Sequence, residues 1–423
     1  MVKTLMIYRK IVLSALRPLS RGALEVELPD RERLRFGGLD ISRLARLRVV
    51  EENFFRRCVL YGPIGFAESY MDGEWETPDL VALLGFFILN FEEFSVMARR
   101  GHRGVPWMDV LAFSNRLAHW QRPNSRKTSR RNISDHYDLS NEFFSLWLDP
   151  TMTYSCAFFE SEGATLEAAQ LRKYEKLCAK LKIQPSDRVL EIGTGWGGFA
   201  IHAASRYGCR VTSITISEKQ FEEARRRVAE AGVGELVEVR LEDYRDVRGT
   251  FDKVVSIEMI EAVGDRYVDG YFEKIAGLLA PHGLVGIQAI LTPDQQYETL
   301  RRGVDFIQKH IFPGSLLMSL QRILQATSRT DGLNLLDYED MAPHYAKTLR
   351  LWRENFEAKA EAILALGFDE KFMRKWRYYL CYCEAAFAMR FISVAQIVFS
   401  RPCNLALNRQ TVVGELPMAM PLR

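Results

Sequence analysis

Between residues 188 and 291, short runs of β-branched and apolar residues alternate with stretches whose apolar positions recur every three or four residues. The runs lie at 188–192, 210–216, 237–241, 251–257 and 284–291. This alternation predicts a parallel sheet with helices on both faces, since strands apolar on both sides must be covered twice. Two further candidate strands, at 333–338 and 392–400, stand on either side of long helical stretches and bring the expected sheet to seven. Ahead of the first strand, Leu166, Gln170, Tyr174, Leu177 and Leu181 share one helical face, with Thr165 placed as its cap.

The first part of the chain has a different rhythm. Leu24, Val26 and Leu28 alternate with polar residues, Pro29-Asp30 supplies turn chemistry, and Leu34 and Phe36 resume the alternation, which predicts a hairpin. Mostly helical patterning follows. The segment QRPNSRKTSRR at 121–131 is polar, basic and aperiodic, as a linker would be. The expected organisation is a smaller, mostly helical N-terminal domain at 1–122, a basic linker at 123–133 and an α/β domain at 134–423. The longest apolar run, at 80–90, falls short of the roughly 20 residues a bilayer requires. The first 21 residues lack the hydrophobic core and cleavage site of a signal peptide, so a cytoplasmic, non-integral protein is expected.

Charge alters this picture locally. The formal net charge of +3 is small for 423 residues, so the whole-molecule field selects no partner. From Arg99 to Arg131, however, nine Lys or Arg residues face one acid, Asp109. Either a surface for anionic phosphates or a solvated linker accounts for that stretch. The seven cysteines are scattered and form no CxxC or Cys/His cluster, which points to reduced thiols and no zinc site.

Candidate chemistry gathers where the predicted strands end. The first runs into Gly193-Thr194-Gly195-Trp196-Gly197-Gly198, where glycines permit a sharp turn and close approach of a ligand to backbone. The second ends in Thr215-Ile216-Ser217, and Ser217 with Gln220 also has the spacing of a capping box. Asp243 and Tyr244 follow the third, an acid and an aromatic suited to an adenine ring. Glu261 lies in an otherwise apolar segment, where an unpartnered carboxylate is costly. Taken singly, Cys156 reads as a buried structural thiol and Tyr345 as an interface aromatic.

Taken in order, several segments resemble the cyclopropane fatty acid synthase family. They are HYDLSNEFFSLWLDPTMTYSCAFF (136–159), VLEIGTGWGGFA (189–200), SITISEKQ (213–220), EDYRDV (242–247), FDKVVSIEMIEAVG (251–264), HIFPGS (310–315) and YYLCYCEAAF (378–387). The resemblance spans roughly 130–401, and it extends more loosely to the leading domain. It implies an S-adenosylmethionine (SAM)-dependent methyltransferase fold and one-carbon transfer from SAM to the double bond of an unsaturated phospholipid acyl chain, forming a cyclopropane ring. The basic stretch and the apolar first part add the expectation of peripheral attachment to an anionic membrane surface, at its inner face; no nucleic-acid partner is expected, and a homodimer is one assembly. By similarity, SAM contacts fall on Tyr154, Ser155, Gly193, Gly195, Thr215, Ile216 and Gln220, with adenine near Asp243 and Tyr244. Tyr137 matches a tyrosine near the substrate mouth. A bound bicarbonate serves the family as base, and its holders fall on Cys156, Glu261, Gln288, Ile290 and Tyr345. Gln288 departs from the pattern, since the family has histidine there, and Ala262 replaces another histidine. Glutamine exchanges hydrogen bonds but cannot titrate. Loss of the proton elsewhere would then leave a methylene or methyl-branched chain in place of a ring.

Overall fold

The computed structural model describes residues 2–38, 44–91, 140–330 and 332–410. The first portion comprises α1 (Val2–Leu16), β1 (Ala23–Glu27), β2 (Arg33–Gly37), β3 (Leu44–Val49), α2 (Asn53–Met71), β4 (Trp75–Glu76) and α3 (Leu80–Leu89). The expected hairpin is present, with β1 antiparallel to β2. It belongs to a four-stranded sheet in the order β2-β1-β3-β4. The strand β3 was not anticipated. Its Ala45, Leu47 and Val49 are buried while Arg46 and Arg48 face outward, a period of two inside a segment whose Leu and Arg residues also favour helix. The apolar run near residue 85 is the half-buried helix α3, capped by Asp79. Among the described residues, no helix is long and apolar enough to cross a membrane. The basic stretch and the expected linker lie outside the described residues.

The second portion contains α4 (Asn141–Ser145), α5 (Leu166–Lys180), β5 (Arg188–Ile192), α6 (Gly198–Tyr207), β6 (Arg210–Thr215), α7 (Glu218–Glu230), β7 (Val237–Leu241), β8 (Phe251–Ile257), α8 (Val268–Leu278) and β9 (Leu279–Leu291). There follow α9 (Asp294–Arg302), α10 (Phe306–His310), α11 (Leu320–Thr327), β10 (Asn334–Asp340), α12 (Ala342–Ala358), α13 (Ala360–Ala365), α14 (Glu370–Ala388) and β11 (Ser393–Ser400). The seven strands order as β10-β11-β9-β8-β5-β6-β7. From β9 to β7 all neighbours run parallel, whereas β11 is antiparallel to both β9 and β10. Helices on both faces bury Val189, Leu190, Val254, Val255, Val285 and Ile287 completely, as expected of near-continuous apolar runs.

The two portions share one apolar core. Leu24, Phe54, Trp75 and Leu83 from the first pack in a single cluster with Phe143, Trp147, Trp352 and Trp376 from the second. The long helix α14 lies against both α2 and α3. Polar contacts pin the same seam: Arg374 donates to the carbonyl of Tyr70 at 2.5 Å, and the His310 ring meets Glu68 at 3.0 Å. Helix α14 therefore links the first portion to the wall of the cavity described next.

Candidate active site

Chain order reverses at β5, because β6 and β7 extend to one side of it and β8 and β9 to the other. Ligands of doubly wound sheets bind outside the carboxyl ends of strands at such a switch point. A cavity of about 530 Å³ opens there, lined by the turn after β5, the ends of β6, β8 and β9, the 152–155 segment, and residues of α12 and α14. At Gly195 φ is +51° and a Cβ would meet nothing, so this part of the turn presents bare backbone to the cavity. At Gly198 a Cβ would stand 2.7 Å from the Tyr174 hydroxyl and 3.1 Å from the Thr151 carbonyl, so only glycine lets α6 begin so close to its neighbours. Gly193, Gly195 and Gly198 keep the spacing common to dinucleotide folds, so the turn by itself does not select the nucleotide.

Ser217 caps α7 by accepting from the Gln220 amide at 3.3 Å. The capping box is only half made. The side-chain oxygen of Gln220 accepts from the Thr215 hydroxyl at 2.9 Å instead of reaching back to the cap. Asp243 receives the Arg245 guanidinium on both oxygens, at 2.8 and 2.6 Å, beside Tyr244 at the same end of the cavity. Glu191 lies in β5 with one oxygen accepting from Ser213, and burial pushes its carboxyl up to about 8. With Glu242, Asp243, Glu258 and Glu261, it makes the cavity lining rich in carboxyl groups, of which Asp243 is paired with Arg245.

The opposite end is apolar and aromatic. Tyr154 packs against Phe144, Trp147 and Trp352, with ring centroids 5.2–5.5 Å apart, and its hydroxyl meets that of Tyr379 at 2.9 Å. Phe312, Tyr379, Phe387 and Phe391 continue the wall. Where this wall meets the polar end sits Glu258, just after β8, with φ at +49°. Its carboxylate accepts three hydrogen bonds: from the Cys156 amide at 2.8 Å, the Gln288 side-chain amide at 2.8 Å and the Tyr345 hydroxyl at 2.6 Å. Glu261 accepts from the Ile290 amide at 2.6 Å through one oxygen, while its other oxygen is buried without a partner. Burial raises both carboxyls, and the neighbouring Glu258 charge adds to the rise of Glu261, to about 8. A fully buried cation, Lys173, donates to the Ser155 hydroxyl at 2.7 Å; burial lowers it to about 8 and Glu258 offsets part of that fall. Buried Gln396 joins Gln288 to the Lys173 carbonyl, so this polar cluster is held by contacts on β9, β11 and α5.

The family model of mycolic acid cyclopropane synthetase matches residues 124–397, more than half of the chain. The chain belongs to that family. This member of the cyclopropane synthetase family is a SAM-dependent methyltransferase. It is 44% identical over 348 residues to the tuberculostearic acid methyltransferase UfaA1 of Mycobacterium tuberculosis, covering 81% of this chain and 79% of that one. It is 36% identical over 391 residues to the cyclopropane-fatty-acyl-phospholipid synthase of Escherichia coli K12, covering 89% and 96%. The crystal structure of the mycolic acid cyclopropane synthase CmaA1 complexed with SAH (S-adenosylhomocysteine) and CTAB matches with a TM-score of 0.61 at 32% identity, covering 64% of this chain and 98% of that one.

Of the residues singled out in sequence, Tyr154, Ser155, Gly193, Gly195, Thr215, Ile216, Gln220, Asp243, Tyr244, Glu261, Ile290 and Tyr345 all line this family member's cavity. Tyr137 lies outside the described residues. Cys156 and Gln288 stand behind the lining, fully buried. The Cys156 thiol is pushed well above its ordinary value by burial and by the Glu258 charge, and it is the backbone of Cys156 that bonds to Glu258 and Gln288. The residue missed is Glu258. The argument applied to Glu261, a carboxylate in an apolar run, held equally for a glutamate three positions earlier. Lys173 was missed too, although it occupies the apolar face of α5 beside Gln170 and Tyr174. The hydrogen-bond donors matched to a bicarbonate are bonded to the chain's own carboxylates, three to Glu258 and one to Glu261. The residues present therefore do not fit a further anion at that position.

Proposed function

We propose that the enzyme transfers the methyl carbon of SAM to the double bond of an unsaturated acyl chain carried by a phospholipid, and that the product is an exocyclic methylene branch. The observation that carries this reading is a single cavity with a carboxyl-rich, glycine-turn end and an aromatic end, and a buried carboxylate where they meet. The SAH–CTAB complex of CmaA1 supports a site for a nucleoside beside a long-chain amphiphile. The 44% identity to the tuberculostearic acid methyltransferase favours methylation without ring closure, for which the methylene is the product that needs no reductant. Ring closure is the second reading, favoured by the match to the E. coli synthase along 89% of the chain.

In this account SAM is held by the turn at Gly193–Gly195, by Tyr154 and Ser155, and by Thr215, Ile216 and Gln220, whose side-chain N–H groups are left for a hydroxyl. Asp243 and Tyr244 flank the adenine. SAM supplies an electrophilic methyl on a sulfonium. The alkene is a poor nucleophile, so the protein's work is to hold it in line and to keep water out. Its π electrons form the new carbon–carbon bond, leaving a cation on the adjacent carbon. The faces of Tyr154, Phe312 and Phe387 offer that cation their negative quadrupoles. Loss of a methyl proton then closes a ring. If hydride first shifts from the methylated carbon, the same loss gives the methylene. Both routes add one CH₂ without net redox change, so a saturated methyl branch would require a separate reductant. The basic stretch at 99–131 supports attachment to an anionic membrane surface.

The test is SAH release from purified enzyme with SAM and vesicles of oleoyl or stearoyl phosphatidylglycerol. The reading expects release with the oleoyl lipid only, and equal release from both would overturn it. Vinylic signals in the proton spectrum of the extracted lipid mark the methylene, and upfield ring protons mark closure.

A further inference from the structure

We infer that the Glu258 carboxylate is the proton acceptor of this enzyme, built into the chain at the position where the family resemblance implies a bound bicarbonate. The inference deepens the acyl-chain reading and rests on it. Three independent donors converge on this one side chain: the Cys156 amide, the Gln288 amide and the Tyr345 hydroxyl, all at 2.6–2.8 Å. Three of the residues matched to bicarbonate therefore hold Glu258 instead. A carboxylate presents two oxygens on a planar carbon, as bicarbonate does, so it can satisfy such donors in the same way.

The backbone supports a functional reason for this placement. Glu258 adopts a left-handed φ of +49°, sparsely populated for a residue with a Cβ, and such positions persist where the surrounding structure holds them. A structural acid would not need to border the cavity, yet Glu258 does so between Met259 and Ile257 at the end of β8. The Gln288 change is explained by the same geometry. Its amide donates to Glu258 and to the Cys156 carbonyl while its oxygen accepts from Gln396, so a neutral group at this position both gives and receives. Lys173, buried nearby, is the cation that favours the ionised form of Glu258.

The step balances within the chain. The alkene pair forms the carbon–carbon bond as the carbon–sulfur bond breaks and leaves its electrons on sulfur, releasing SAH. A hydrogen of the transferred methyl passes to Glu258 as a proton. Its bonding pair becomes the exocyclic double bond after the hydride shift, or the last side of a ring without it. Glu258, now neutral, returns the proton to water when the product leaves.

The test compares wild type with Glu258→Gly, which suits the left-handed φ and clears the carboxylate from its donors. Turnover on oleoyl vesicles is measured in carbon-dioxide-depleted buffer and again with added bicarbonate, and [¹³C]bicarbonate binding is followed by NMR line broadening. Wild type is expected to turn over equally in both buffers and to leave the bicarbonate line unchanged. Glu258→Gly is expected to lose about 100-fold or more without bicarbonate, the scale of a general base. It is expected to regain at least about tenfold, part of that same contribution, when bicarbonate is added, and to broaden its line. Wild-type turnover that collapses on depletion and returns with bicarbonate would overturn the inference, as would bicarbonate binding to wild type. Absence of turnover by wild type on every unsaturated lipid would instead overturn the acyl-chain reading and the chemistry assigned to Glu258. The NMR titration would still decide whether the side chain takes the anion's place.

Discussion

Replacing Tyr345 by phenylalanine removes one oxygen and little else. The ring is buried and packed against Phe387 with centroids 4.4 Å apart, so it keeps its place in Tyr345→Phe. What disappears is the 2.6 Å hydrogen bond to Glu258. Hydrogen bonds to a charged group contribute about 1.5–3 kcal/mol, equivalent to about 10–150-fold in the ionisation equilibrium. The hydroxyl stabilises the carboxylate, so its removal raises Glu258 further above its ordinary value. If the carboxylate is the active form, the acid limb of the pH–rate profile moves to higher pH. Cys156, Glu261, Lys173 and Gln288 face the same group in both proteins, and Glu261 and Lys173 titrate near 8, so the informative quantity is the difference between the two curves. SAH release on oleoyl vesicles, followed from about pH 6.5 to about 9.5, should show a loss of about 10–100-fold at the acid end that shrinks as pH rises. The Michaelis constant for SAM should move little. A loss that is the same at every pH, or one confined to the Michaelis constant, would refute the reasoning.

Three other outcomes follow from the same geometry. Burial holds Glu261 near 8, above its ordinary 4.5, so its charge opposes folding progressively as pH rises through that interval. Glu261→Gln should therefore raise the thermal midpoint of the ligand-free protein at pH 8.5 and leave it almost unchanged at pH 5, with both values read by calorimetry; the reverse pattern would contradict the assignment. In Gly198→Ala the new methyl would press on the Tyr174 hydroxyl, itself fixed by Thr153 at 2.7 Å, and on the Thr151 carbonyl. The expected cost is about 1–3 kcal/mol in denaturant unfolding, with weaker SAM binding by calorimetric titration. Binding to phosphatidylglycerol vesicles should fall steeply with added salt if the 99–131 stretch makes the contact, whereas salt-independent partition would assign attachment to apolar surface.

The sheet was legible because its strands are buried on both faces and so read as apolar runs. Its edges were less so. β9 begins at Leu279, five residues before the expected start, because Pro281-His282-Gly283 reads as a turn. β3 was overlooked because Leu and Arg alternate there with the composition of a helix. At the site, side-chain chemistry was easier to read than backbone chemistry. Cys156 drew attention as a thiol, yet it contributes an amide hydrogen. Ser155 entered only as a SAM contact implied by the resemblance, whereas its hydroxyl accepts from Lys173, a buried cation absent from the periodic face read in sequence. Glu258 and Glu261 lie three positions apart in the same apolar run, and only the fold shows that one takes three donors and the other one.

The central claim, one-carbon transfer to an acyl double bond, is tested most directly with SAM carrying ¹³C in its methyl group. After incubation of the enzyme with oleoyl phosphatidylglycerol vesicles, the carbon spectrum of the extracted lipid locates the label. The account predicts a labelled carbon bonded to the acyl chain, in an exocyclic methylene and with two attached hydrogens. Label on oxygen or nitrogen, or a lipid fraction without label while SAH accumulates, would contradict it.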